Sequence, residues 1–336
     1  MDALSILGLA LWTAAAPASA ATLIAVGDIR LDGPVGAIIR RSGPKAPLSG
    51  LAGAFQDADI VFGNLECPLT KRGAKVAKTW NFRAPPDHLA ALTQGGFTLV
   101  NLANNHAYDY GAVGFLDTLA ALKKHGLPYI GGGKDLDEAQ RLKVVAIGGL
   151  KVGLMGFTST HPAEGWAKKN RAGVAYSDFD RFPAVIAAAR PKCDVLVVSF
   201  HGGTELAEDA NDIQKAFAHM AVDAGADLVL GHHPHVLQAV ELYKGKPIVY
   251  SLGNFLFVSP SPATRTTVVA RVTLGRGGVE GIVFTPFDTN WGRPILAGPD
   301  GRAAALAALD RLGTLSAHPE RFRLDAAAVE TPPQIR

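Results

Sequence analysis

GADLVLGHHPHVLQAVELYKGKPIVYSLGNF, residues Gly225–Phe255, decides the reading of this 336-residue chain. The apolar run Leu228 to Leu230 reads as a buried strand, and His232, His233 and His235 follow it within a few residues. In layered α/β proteins the carboxyl end of a strand is where functional side chains meet a crevice. Pro234 removes a backbone donor and stiffens the turn, so the chain itself holds the imidazoles. Neutral imidazole is the commonest protein ligand for a transition metal. The same letters also describe a His-rich surface turn. What separates the two readings is whether other strands end in the same way.

Four others do. Asp28 ends AVGDI; Asn64 and Glu66 end VFGNLE; Asn104, Asn105 and His106 stand in VNLANNHAYDYG; His201 ends VVSFHGG. Singly, each has a plainer explanation. Asp28 would cap a helix, Asn104 and Asn105 would supply left-handed turn geometry, and His201 would be a core histidine with its partners satisfied. Together, five polar strand ends point to one rim and one shared site. Carboxylate, amide oxygen and imidazole suit a divalent ion such as Zn, Mn or Fe.

Working outward, strand and helix signals alternate from residue 22. TLIAVGDI (22–29) reads as a strand, LAGAFQDA (51–58) as a helix, and DIVFGNLE (59–66) as a strand. A polar loop, a helix from PPDHLAALTQGG and the strand 98–103 follow. VGFLDTLAALKKHG (113–126) has helical apolar spacing and a closing glycine. KVVAIGG and KVGLMGFTS read as a hairpin, FPAVIAAARPKCD and IQKAFAHMAVDAGA as helices, and VLVVSFHGG (195–203) as a strand between them. After the His-rich turn come the strands VLQAVELYKG, KPIVYSLGNF, TTVVARVTLG and VEGIVFTPF, then the helix AAALAALDRL. This pattern predicts α/β layering, with two packed mixed sheets and helices outside. One domain spans 22–290, and 291–336 is a C-terminal extension, packed on the domain or partly disordered. No internal repeat is present.

Composition narrows the class. The chain is 48% hydrophobic and 19% charged, which excludes a disordered protein. A net charge of +3 is too small a bias to imply nucleic acid as a partner. Residues 1–20 hold a short apolar run ending in Ala18-Ser19-Ala20, which resembles a secretory signal cleaved after Ala20. Met1-Asp2 before it carries no Lys or Arg, so either the true start lies elsewhere or the signal is atypical. The run is too short for a permanent transmembrane anchor. A periplasmic or secreted location is the expectation. Cys67 and Cys193 are far apart in sequence and read as two free thiols.

These motifs resemble the CapA family, the poly-γ-glutamate capsule-synthesis proteins, which are related to calcineurin-like metallophosphoesterases. The matching residues are Gly27-Asp28, Asn64-Leu65-Glu66, Ala103-Asn104-Asn105-His106 with Asp109 and Gly111, and His201-Gly202 with Glu205. Gly231 through Gln238, Pro247-Ile248 and Ser251 through Phe255 complete the set. The match covers about residues 22–290 and implies a four-layer αββα sandwich of two mixed sheets. It implies metal ligation by Asp28, Glu66, Asn105, His201, His233 and His235, for one or two divalent ions. His106 takes the place of the histidine that protonates the leaving group, and His232 becomes a flanking residue or an outer partner of a ligand. Residue 30 departs from the pattern, because the phosphoesterase Asp-x-His has Arg here. Arg30 would then hold an anionic substrate group bidentately, or form a surface salt bridge. Asp32 is a substitute ligand at unusual spacing.

Around this set, Asp109 or Glu205 would orient a histidine. Tyr108, Tyr110 and Trp80 line the mouth or serve structure. The loop 70–83, TKRGAKVAKTWNFR, is basic without an acidic residue and would overhang the rim as a lid for a polyanion, or simply be solvated. The resemblance implies a metal-dependent hydrolase of a phosphoester or amide-linked anionic envelope polymer, alongside capsule-synthesis membrane machinery. The alternative is a non-catalytic accessory protein that binds or exports poly-γ-glutamate on a degenerate phosphoesterase fold.

Overall fold

The computed structural model describes residues 20–51 and 53–325. The leader expected over residues 1–20 therefore lies outside the described residues, Ala20 excepted. Among the described residues no helix is long and apolar enough to cross a membrane.

Two mixed sheets form the middle of the molecule. The first is built on the parallel strands Ala21–Ile29, Ile60–Leu65, Leu99–Asn101 and Tyr129–Ile130. Beyond Ala21–Ile29, the antiparallel strands Thr266–Gly275 and Gly278–Asp288 extend it. The second sheet carries the parallel strands Leu150–Thr158, Val195–His201, Leu228–His232 and Lys246–Leu252. The antiparallel strands Lys143–Ile147 and Leu237–Tyr243 lie at its edges.

Alternation along the strands decides which face is buried where. Val195 and Val197 point into the core between the sheets, with Leu23, Phe62, Leu154 and Leu230. Leu196 and Val198 point outward, against Phe182 and Ile186 of helix Phe182–Ala189 and Phe217 of helix Asp212–Asp223. Phe217 stacks on Phe200 at 3.9 Å between ring centroids. On the opposite face, Val35 and Ile39 of helix Gly33–Ser42 and Phe115 and Leu122 of helix Gly111–Lys124 cover the first sheet. The order helix, sheet, sheet, helix is the four-layer sandwich implied by the resemblance. At the C-terminal end, Ala305 and Leu309 of helix Pro299–Leu309 enter the intersheet core, and the strand Phe322–Leu324 pairs in parallel with Gly278–Asp288.

One expected element is absent. Residues 53–57, within the helix expected over 51–58, form turns. Gly53 and Asp57 both take positive φ, at 78° and 56°, which a right-handed helix does not accommodate. Phe55 instead packs edge-on against Phe97, 5.4 Å between centroids.

The two sheets meet at one crossing. Strand Lys246–Leu252 belongs to the second sheet, and Asn254–Leu256 pairs with Ala21–Ile29 of the first. Gly253 between them makes the turn at φ 68°. The backbones approach so closely that a Cβ on Gly27 would lie 1.9 Å from the Gly253 carbonyl oxygen, itself the acceptor for Asp28 N at 2.9 Å. Gly27→Ala is expected to cost about 3 kcal/mol, the upper end for overpacking, because both partners are backbone. Gly277→Ala, where an added Cβ meets nothing within 4 Å, should change stability by less than about 0.5 kcal/mol. Urea unfolding distinguishes them, and equal midpoints would contradict the close approach.

Candidate metal centre

Asp28 ends its strand beside a register shift, and its carboxylate becomes a hub between the sheets. Asn64 Nδ2 donates to Asp28 Oδ1 at 2.8 Å and lies 3.1 Å from His201 Nδ1. Asn64 Oδ1 accepts from Asn101 Nδ2 and Asn104 Nδ2, at 3.0 and 3.1 Å. From the second sheet, His233 N donates to Asp28 Oδ2 at 3.2 Å, across 205 residues of sequence. His232 Nδ1 and His235 Nδ1 stand 3.5 and 3.3 Å from the same carboxylate. Burial alone would raise the Asp28 pKa, but the neighbouring His232, His235 and His201 hold it well below the usual carboxylate range.

The GHHPH turn is strained. His233 has φ 100° and His235 φ 60°, values that side-chain-bearing residues rarely adopt. Strain of this kind costs of order 1–3 kcal/mol per residue and collects at functional sites. Here it turns His233 and His235 toward the first sheet. A glycine before the turn is equally required, since a Cβ on Gly231 would lie 1.9 Å from the Tyr250 carbonyl oxygen.

Glu66 completes the arrangement. It is fully buried, and neither carboxylate oxygen has a hydrogen-bond partner. Burial, reinforced by the Asp28 charge, pushes its pKa well above the normal range. Glu66, His201 and His233 each offer one ligand atom within 4.8 Å of the others, and so do Asp28, Glu66 and His235. Glu66 belongs to both trios. Asn105 Oδ1 lies 2.8 Å from His201 Nε2, beside the first trio. All six expected ligands therefore converge, from strand ends of both sheets. His232 stays flanking, and neither of its buried ring nitrogens has a hydrogen-bond partner.

An isolated buried carboxylate is costly unless a cation compensates it. Two carboxylates, an amide oxygen and three imidazoles fit a borderline or hard divalent ion. Burial and the charge of His235 bring the His233 pKa down to about 3, so His233 is neutral and able to ligate. Burial also acts against protonation of His235, but Glu66 and Asp28 outweigh it and raise that pKa to about 9.

His106 sits at the edge of this cluster. Its Nδ1 lies 2.7 Å from Asp109 Oδ2, and its ring stacks on Phe82 at 3.7 Å. Lys78 Nζ donates to the Asn105 carbonyl at 2.7 Å, lies 3.1 Å from His106 Nδ1, and pairs with Asp109. Thus Asp109, not Glu205, contacts a histidine, and one lysine of the expected lid enters the site. Arg72 is tied to Asp117, Trp80 stands in solvent, and Tyr108 and Tyr110 are buried.

Arg30 is not among the converging ligands. Its Nε and Nη2 donate to the two oxygens of Asp32, at 2.6 and 2.9 Å, so the guanidinium fork is already engaged. Asp32 is thereby committed to Arg30 rather than to the cluster. The guanidinium carbon lies 3.7 Å from the Phe82 centroid. Two groups at that distance from one ring occupy opposite faces, so Phe82 separates Arg30 from His106.

Sequence reasoning left Asn101 and Asn254 without a role at the site and placed Lys78 only in the basic loop over the rim. Asn254 Oδ1 lies 2.9 Å from His235 Nδ1, and Asn101 supports Asn64. The position of Asn254 directly after the turn glycine Gly253 was the available signal.

Comparison with known proteins places these features in a family. The family profile described as bacterial capsule synthesis protein PGA_cap matches residues 22–259. A Bacillus subtilis protein named PGA biosynthesis protein CapA is 35% identical over 272 residues, covering 80% of this chain and 72% of the relative. The Bacillus anthracis capsule biosynthesis protein CapA is 34% identical over 281 residues, covering 81% and 68%. Among solved structures, a 5'-nucleotidase precursor from Thermus thermophilus aligns at 14% identity with a TM-score of 0.46, over 89% of this chain and 58% of the other.

The unpartnered Glu66 generates a stability prediction. In chelator-treated protein at neutral pH, Glu66→Gln should raise the unfolding free energy by about 1–3 kcal/mol, by removing a buried carboxyl whose raised pKa costs stability at every pH above the normal carboxylate range. Added manganese(II) should stabilise the wild type and leave the variant nearly unchanged. A less stable metal-free variant in thermal melts would count against this account.

Proposed function

Because this chain belongs to the bacterial capsule synthesis protein family PGA_cap, we propose that it is a secreted or periplasmic metal-dependent hydrolase. Its substrate would be a phosphoester or an amide-linked anionic polymer of the cell envelope, in the service of polyglutamate capsule synthesis. The observation that carries this reading is Glu66, buried, without a hydrogen-bond partner and shared by two trios of ligating groups. A surface that only bound polymer has no use for such a carboxylate.

In this reading Asp28, Glu66 and His235 hold one divalent ion, and Glu66, Asn105, His201 and His233 a second. A bound divalent ion lowers the pKa of a ligated water and offsets charge at the scissile centre. The chain's own contribution is positioning and proton transfer. Asp109 engages Nδ1 of His106, and the Phe82 stack fixes the ring plane. That leaves Nε2 of His106 as the nitrogen able, in the imidazolium form that Asp109 favours and burial opposes, to give a proton to the leaving oxygen or nitrogen. Lys78 keeps positive charge beside it, favouring an anionic substrate.

A second reading, binding of polyglutamate without catalysis, is favoured by Arg30, which stands at a ligand position and is engaged with Asp32. The two separate experimentally. Purified protein should contain Mn, Zn or Fe by elemental analysis and hydrolyse a model phosphodiester or a γ-glutamyl oligomer. His106→Ala should keep its metal and lose about 10²–10⁴ in rate. His233→Ala should lose metal and activity together. Metal-free, inactive protein that still binds polyglutamate would overturn the hydrolase in favour of the binder.

A further inference from the structure

We propose that Glu205 is a metal ligand at the mouth of the centre, offered beside His233 and His235, where residue 30 delivers no side chain. The inference rests on the two-ion reading above. Of the two trios, the one containing His201 has Asn105 beside it as a fourth donor. The other has three protein donors, because Arg30 is held by Asp32 behind the Phe82 ring.

Glu205 is the carboxylate in reach. One of its oxygens, one nitrogen of His233 and one of His235 lie within 4.8 Å of one another. It therefore faces one imidazole from each trio. It is exposed, and its carboxylate has no hydrogen-bond or ion-pair partner among the described residues.

The segment around it is anchored to the same turn. Leu206, at φ 63°, donates its N–H to the Pro234 carbonyl at 2.8 Å. Gln238 Nε2 donates to the carbonyls of Ala207 and Asp209, at 2.8 and 3.1 Å. Arg311, after the C-terminal helix, pairs with Glu208 and Asp209 at 2.7 and 3.3 Å. A carboxylate on a segment pinned this way is presented to the histidines rather than left to sample solvent. With Glu205 the centre would offer three carboxylates, an oxygen-rich set that favours Mn or Fe(II) over Zn.

The test is manganese(II) binding, by calorimetry and by electron paramagnetic resonance, to chelator-treated wild type, Glu205→Ala, Glu205→Asp and His201→Ala. The wild type should bind two ions per chain with a spin-coupled signal. Glu205→Ala should bind one with unchanged affinity and the other about tenfold or more weakly, since loss of even an outer partner of a ligand costs about 10–100-fold. Its spin coupling should vanish, and Glu205→Asp should restore part of the affinity. Loss of the weaker ion in Glu205→Ala, and of the other in His201→Ala, assigns the two positions. Melting of the metal-free variants at the wild-type temperature shows that they fold. Two ions bound by Glu205→Ala with affinities within about twofold of wild type would overturn the role of Glu205 and leave the metal centre standing. A wild type that binds no manganese, zinc or iron would overturn the two-ion reading itself.

Discussion

The close contact between two backbones at Gly27 and Gly253 is the constraint on which the rest of this molecule depends. Each sheet alone ends in a row of polar residues facing solvent. The chain crosses from the second sheet to the first within a single glycine, and Asn254 pairs with Asp28 at the landing point. That crossing brings the two rows within hydrogen-bonding distance, and Asp28 is then able to touch groups from both sheets at once. No side chain fits between the strands there. The absence of a Cβ is what makes a common site possible.

Two kinds of local cost are maintained at this rim. The backbone at His233 and His235 is held in left-handed conformations, and Glu66 is kept away from both water and hydrogen-bond donors. A fold selected only for stability would shed both, since a glycine in the turn and a neutral residue at 66 would relieve them. The surroundings instead enforce them: Asn64, Asn101 and Asn104 form an amide network that holds Asp28 rigid, and Asn254 holds His235. Buried polar networks of this kind rigidify when every member is satisfied. Rigid neighbours around unsatisfied ligands are the arrangement expected of a preorganised ion site.

The layers of the fold were legible from strand and helix periodicity, because alternating apolar residues and glycine-bounded runs are local properties of the chain. The rim was legible for a different reason. His, Asp and Glu at the ends of apolar strands are conspicuous, so Asp28, Glu66, His201, His233 and His235, with Asn105, could be singled out without coordinates as the candidates that the structure brings together. Of the supporting amides, Asn64 and Asn104 stood among the polar strand ends but Asn101 did not, because Asn at a strand end is equally a turn former and only its three-dimensional pairing with Asn64 gives it a role. Arg30 shows the opposite limit. Its type and position suggested a group facing substrate, but a carboxylate two residues on and a flanking aromatic ring, distant in sequence, claimed the guanidinium first. The turns at 53–57 were misread because helical spacing is blind to a left-handed aspartate.

The C-terminal segment has a consequence for the order in which the protein is made. Every proposed ligand lies between residues 28 and 235, so the donors are all synthesised before residues 299–324. The layer beneath them, however, is closed by Ala305, Leu309 and Phe322, which fill the core between the sheets. The first sheet also receives the strand Phe322–Leu324 last, alongside Gly278–Asp288. Contacts this far apart in sequence make for late, slow assembly. The ligand geometry thus depends on core contacts made by segments that follow every candidate ligand in sequence.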